Sequence, residues 1–231
     1  MRKAPIIAID GPAGSGKSTA AKNLARALGL RYLDTGAMYR AVTLKALEDG
    51  IDLDDEQALL AITQAIRIRL QPQDGLTRVF VDDAEVTSEI REEEVTRQVY
   101  HVAGSEACRR VIVEMQRQFA ADGGVVAEGR DIGTVVFPDA ELKIFLVADT
   151  KERARRRHAE LTRAGEHVDF DKVLRNIEVR DQRDSDRKVS PLRKAFGAVV
   201  VDTTHNSVDQ TLAKLIEVAG RHLPELKAAK S

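Results

Sequence analysis

Ile6-Ile7-Ala8-Ile9-Asp10-Gly11-Pro12-Ala13-Gly14-Ser15-Gly16-Lys17-Ser18-Thr19 is the stretch that decides the fold of this chain. Its first four residues form a continuous apolar run, the pattern of a strand buried on both faces. A glycine-rich turn follows. Beyond it Ala20, Leu24, Ala25 and Leu28 share one helical face, with Gly29 as the stop. Residues 11–18 fit Gly-x4-Gly-Lys-Ser between a strand and a helix, the context that this phosphate-binding loop (P-loop) requires. Glycines let several backbone N–H groups curl inward toward a polyphosphate, and the positive end of the helix adds to that nest. Gly11, Pro12, Ala13, Gly14, Ser15, Gly16, Lys17, Ser18 and Thr19 are therefore expected to hold ATP. Lys17 should reach the β- and γ-phosphates, and the Ser18 hydroxyl should coordinate Mg2+.

The same alternation continues outward. Residues 31–33 read as a second strand and 35–47 as a second helix. Apolar runs at 125–127, 142–148 and 198–201 complete the strands, with helical patterns starting near Thr150 and Ser207. This is an α/β chain, expected to form a doubly wound parallel five-stranded sheet of the P-loop NTPase type. The middle breaks the rhythm. Short β-type runs at 66–70 and 78–81 flank a turn at 71–75, Asp82-Asp83 makes a second turn, and Val86 reads as part of a third strand. Residues 92–119 are helical in pattern, with Ser105 as a cap and Gly123-Gly124 as the stop. A single domain over 1–231 is expected, with a small antiparallel insert at 63–104, a helical lid at 150–168, and a frayed tail at 227–231.

Composition narrows the function. Lys plus Arg number 36 and Asp plus Glu 37, so the net charge is −1, which disfavours a nucleic-acid coat or a polybasic membrane anchor. Cys108 is the lone cysteine, so an intrachain disulfide is impossible. No apolar run approaches the roughly 20 residues that span a bilayer. The expectation is a soluble, cytoplasmic monomer that engages neither nucleic acid nor membrane. Anion binding must come from local placement of cations.

A switch GTPase would carry Asp-x-x-Gly and Asn-Lys-x-Asp, and neither occurs. A motor ATPase would show apolar residues before Asp-Glu, whereas Phe145-Leu146-Val147-Ala148-Asp149 is followed by Thr150. A shikimate-type kinase would want Asp-x-Asp after the second strand, where this chain has Asp34-Thr35-Gly36. A binding module without turnover has no need of a cationic lid. Residues 151–163 hold six basic residues against two acidic ones, and Arg153, Arg156 and Arg157 share a helical face. Phosphoryl transfer spreads negative charge over equatorial oxygens, so a lid bringing guanidinium groups onto ATP suits the chemistry. A solvated charged helix face is the bland alternative. Arg180, Asp184 and Arg187 fall on a second stripe that faces a cleft if the segment is helical.

Four stretches together resemble bacterial cytidylate kinase. They are residues 7–19, Leu33-Asp34-Thr35-Gly36-Ala37-Met38-Tyr39-Arg40, Glu128-Gly129-Arg130-Asp131-Ile132-Gly133-Thr134-Val135-Val136-Phe137-Pro138, and 180–191. Val86-Thr87-Ser88-Glu89-Ile90-Arg91 is similar to that family's insert, and the likeness spans about 6–219. The resemblance implies transfer of the ATP γ-phosphoryl group to CMP or dCMP. It implies that Arg40, Arg130 and Arg187 clamp the acceptor phosphate, that Arg109 and Asp131 read the cytosine edge, and that Arg180 and Asp184 contact the sugar. Thr35 stands where the family often has serine and keeps the hydroxyl. Lys17, Arg130, Arg156, Arg157 and Arg187 are the expected catalytic groups. Three departures stand out: Tyr100 replaces a base-contacting serine, Glu128 an aspartate, and Cys108 an aliphatic residue. The Tyr100 ring is expected to pack as core beside Thr96, Val99 and Ala103, and Cys108 to be a core replacement.

Overall fold

Strand β1 (Ala4–Asp10) is central because its apolar run can be buried on both faces: Ile7, Ala8 and Ile9 are fully buried. It pairs in parallel with β6 (Gly123–Gly129) on one side and β7 (Leu142–Val147) on the other. Strands β2 (Arg31–Asp34) and β8 (Val199–Asp202) form the edges, giving a five-stranded parallel sheet in the order β2-β6-β1-β7-β8. The computed structural model describes residues 4–73, 76–163 and 165–228. Asp74 and Gly75 of the expected hairpin turn, and residues 229–231 of the expected tail, lie outside them.

Helices cover both faces, as buried parallel strands demand. They are α1 (Lys17–Leu28), α2 (Thr35–Glu48), α3 (Glu56–Ala65), α4 (Glu93–Gly104), α5 (Glu106–Phe119), α6 (Thr150–Arg163), α7 (Phe170–Asp186), α8 (Val208–His222) and the short α9 (Glu225–Ala228). One core lies between the sheet, α2 and α5 and includes Cys108. A second lies under α1 and α8. A third, small core of Ala154, Val173 and Ile177 joins α6 to α7. No helix among the described residues is long and apolar enough to cross a membrane.

Between α3 and α4, β3 (Ile68–Gln73), β4 (Leu76–Val81) and β5 (Ala84–Glu85) form a three-stranded antiparallel sheet. Val86 lies just past β5, buried, with its N–H on the Val79 carbonyl at 2.8 Å. The helix α3 has no counterpart in the sequence reading, although Asp55 caps it by accepting from Gln57 and Ala58. Ser105 does cap α5, but Gly123-Gly124 are not its stop, because Ala120 already closes the helix. The two glycines open β6 with φ of 70° and 67°, and a Cβ on Gly123 would stand 2.0 Å from the Ala4 carbonyl oxygen. Glycine is required there by the neighbouring strand rather than by the helix end.

Candidate active site

The loop after β1 leaves the start of α1 open. Gly16 precedes the helix in a left-handed conformation and no side chain caps it. Helices α2, α5, α7 and α8 by contrast have their first N–H groups taken by Asp34, Ser105, Asp169 and Ser207. Uncapped N–H groups at a helix start are an anion site. Gly11 is obligatory, since a Cβ there would meet the Leu146 carbonyl oxygen at 2.2 Å. The Lys17 ammonium is buried and donates to the Pro12 carbonyl at 2.6 Å. Burial and the neighbouring Arg130 charge pull its pKa down to about 7. Ser15 Oγ is buried with no partner among the described residues. A polyphosphate supplies acceptors for both groups, so these residues fit ATP.

Ser18 donates its hydroxyl to Glu128 Oε1 at 2.5 Å, and the Tyr32 hydroxyl donates to the same oxygen at 3.1 Å. Burial, with Asp34 nearby, raises the Glu128 carboxyl above its ordinary range. A hydroxyl beside a carboxylate is an oxygen-only donor set, which fits a hard cation such as Mg2+.

A second wall faces the loop. One oxygen of Asp184 accepts from Arg130 Nε at 2.7 Å and the other from Arg187 Nη2 at 2.6 Å. Burial pushes the Asp184 carboxyl up, but Arg130, Arg187 and Arg180 outweigh it and hold it below the usual range. Arg180 is forced down to about 10 by burial and by the Arg130 charge. Arg40 pairs with Asp34 at 3.1 Å, and its Nε is buried without a partner among the described residues. Cations outnumber carboxylates here, and guanidinium forks match phosphate oxygens in pairs. Beyond them Arg109 and Asp131 form a buried ion pair, with Arg109 also lying 5.4 Å from the Tyr39 ring centroid. Burial raises Asp131 although Arg109 opposes it. The Thr35 hydroxyl donates to the Glu128 carbonyl at 2.7 Å. A side chain on Gly129 would stand 2.5 Å from that hydroxyl oxygen.

The arginines of the expected lid do not share one environment. Arg153 is buried and immobilised, donating to the carbonyls of Ala13 and Ala148, each at 3.0 Å, and to the Thr150 hydroxyl at 2.8 Å. It also pairs with Asp181 of α7 at 2.7 Å. Arg156 turns to the loop after β8, donating to the Thr203 carbonyl at 2.6 Å and the Thr204 carbonyl at 3.2 Å. It stands beside the P-loop, where a Cβ on Gly16 would lie 3.9 Å from its Nη1. Arg157 is half-exposed, pairs with Glu160 at 3.3 Å, and lies close enough to Arg180 for its charge to depress that group.

A family model described as cytidylate kinase matches residues 7–221. This chain belongs to the cytidylate kinase family. It is 51% identical over 213 residues to a cytidylate kinase of Exiguobacterium sibiricum, covering 92% of this chain and 96% of the relative. It is 47% identical over 215 residues to that of Carboxydothermus hydrogenoformans, covering 93% and 97%. Among solved structures, TT1252 from Thermus thermophilus superposes with a TM-score of 0.51 at 18% identity, covering 96% of this chain and 99% of that one, a likeness of fold.

Against the cytidylate kinase pattern, Tyr100 takes a position the sequence reading did not expect. Its ring is not core: it is 42% exposed, lies 4.0 Å from the His101 ring, and sits under the Arg183 guanidinium at 4.7 Å. It therefore links α4 to α7. Asp10, Asp181 and the bolt-like role of Arg153 were also missed. The one sequence signal for Arg153 is its neighbour Ala154, a small apolar residue that marks the buried face of an otherwise charged helix.

Proposed function

We propose that this chain transfers the γ-phosphoryl group of ATP to CMP or dCMP, releasing ADP and CDP or dCDP. The observation that carries the reading is the pairing of an uncapped P-loop holding Lys17 with an opposing wall of Arg40, Arg130, Arg180 and Arg187, next to the Arg109–Asp131 pair. ATP binds residues 11–19, with Lys17 on its terminal phosphates and Arg156 on its loop side. Ser18 and Glu128 would hold Mg2+, which would screen the polyphosphate charge. Arg40, Arg130 and Arg187 hold the acceptor phosphate in line, and Arg180 with Asp184 takes the sugar. The acceptor is already anionic near neutral pH, so no side chain has to remove a proton. Arg130, Arg157 and Arg187 meet charge that spreads over the transferring group.

Asp131 accepts from the cytosine amine and repels the carbonyl that uracil carries at the same position. Residues 63–104 form the acceptor-binding insert and 150–168 the lid of one catalytic domain, working as a monomer in the cytoplasm. A coupled ADP-release assay with CMP, dCMP, UMP, AMP and shikimate tests this reading. Cytidine nucleotides should be preferred, and shikimate or AMP turnover exceeding that of CMP overturns it.

A further inference from the structure

Asp131 occupies the N-cap position of a five-residue π-turn, Ile132–Val136, yet its side chain makes no cap hydrogen bond. The other aspartates at such a position behave differently. Asp34, Asp55 and Asp169 stand at the same position of α2, α3 and α7, and each spends its own carboxylate on the helix N–H groups. The first N–H groups of a helical turn must find acceptors when buried. Here the acceptor arrives from far away in sequence. Asp10, the last residue of β1, takes the Ile132 N–H on Oδ1 and the Gly133 N–H on Oδ2, both at 2.8 Å. Asp10 is itself fixed in the sheet centre, opposite Gly129 on one side and Phe145 on the other. With both donors satisfied, the Asp131 carboxylate is released to Arg109.

We infer that Asp10 is a positioning residue for acceptor selectivity: it caps the turn in place of Asp131, so that Asp131 can face the base. The inference rests on the proposal that Asp131 reads the cytosine edge. Asp10 also immediately precedes Gly11, so one side chain ties the ATP loop to the turn carrying Arg130 and Asp131. Without it, the nearest carboxylate able to cap Ile132–Val136 is that of Asp131, at the position where aspartate ordinarily does so. The base would then lose its reader while the P-loop keeps its shape.

The test measures kcat/KM on CMP and UMP, KM for ATP, and Tm, for wild type, Asp10→Ala, Asp10→Asn, Asp131→Asn and the double variant Asp10→Ala/Asp131→Asn. Asp10→Ala should cut the CMP-over-UMP preference by about tenfold or more while KM for ATP stays within about twofold. In the double variant it should add less than about twofold to the loss from Asp131→Asn, because both act through one carboxylate. Asp10→Asn retains one acceptor and should fall between wild type and Asp10→Ala. If Asp10→Ala does not fold, Asp10→Asn carries the same comparison. Equal losses on CMP and UMP, or losses that multiply in the double variant, overturn the inference and leave Asp10 a structural residue. A wild type without cytosine preference instead removes the functional reading on which it rests.

Discussion

The Lys17 ammonium donates to the Pro12 carbonyl at 2.6 Å, inside the very loop it is placed to serve. A buried cation beside Arg130, only partly offset by the Glu128 and Asp184 carboxylates, is held by the fold at a cost. Lys17→Met keeps the stem and removes that charge. Turnover should fall by about 10²–10³, the value of one preorganised contact to developing charge. The Tm of the nucleotide-free protein should rise at the same time. Near-normal turnover in folded Lys17→Met refutes the P-loop assignment.

Asp131→Asn should damage kcat/KM for CMP more than for UMP. The carboxylate accepts from the cytosine amine, whereas an amide presents a donor as readily as an acceptor. Sites built on hydrogen bonds discriminate by up to about 10⁴-fold, because a wrong partner leaves buried groups unpaired. Losses that are equal for the two nucleotides mean that Asp131 only supports Arg109.

Arg153 and Arg157 should separate stability from catalysis. Arg153→Ala strips a bolt from Ala13 and leaves Asp181 without its cation, which should cost about 2 kcal/mol of stability. Arg157→Ala removes a half-exposed side chain, so Tm should hold while kcat falls at saturating ATP. Urea unfolding and steady-state kinetics on both variants decide. A silent Arg157→Ala restores the view of a solvated charged face.

Tyr100→Phe should change kcat/KM for CMP by less than about threefold, since the Arg183 guanidinium needs only the ring face. Tyr100→Ser should lower Tm only slightly, because the ring is partly exposed and outside the core, but should raise KM for CMP by loosening the α4–α7 contact. Arg183→Gln should reproduce that rise, and adding it to Tyr100→Ser should change little. A tenfold loss in Tyr100→Phe at unchanged Tm shows instead that the hydroxyl reads the base.

Burial raises the Asp10 carboxyl from 3.8 to about 6, with Asp131 adding to the rise and the two N–H groups and Lys17 opposing it. A carboxyl whose folded pKa lies above its unfolded value stabilises most below the unfolded value, and that contribution is lost as pH rises through about 6. Between pH 7.5 and pH 5 the stability of wild type relative to Asp10→Asn should therefore increase by about 1 kcal/mol. Denaturant titrations of both proteins at the two pH values measure it. A constant difference, or one that shrinks on acidification, contradicts the assignment.

The individual strands of the parallel sheet and the phosphate loop were legible in the sequence because each is local. A continuous apolar run, a glycine turn and an amphipathic helix are contiguous, and their physics depends on neighbours a few residues away. The same holds for the Ser105 cap and for the break in rhythm that announces the β3–β5 sheet. What the chain alone does not disclose is which charges meet. Asp10 and Ile132, Ser18 and Glu128, Arg130 and Asp184, and Arg153 and Ala13 lie far apart in sequence, and only the strand order brings each pair within hydrogen-bond reach. Arg153 and Arg157 look alike on a helical wheel. The tertiary structure decides that one is buried as a bolt and the other left half-exposed, because α7 packs against a single side of α6. Gly123 and Tyr100 follow the same rule: the close approach of Ala4 and the reach of Arg183 settled their roles, and neither neighbour is near in sequence.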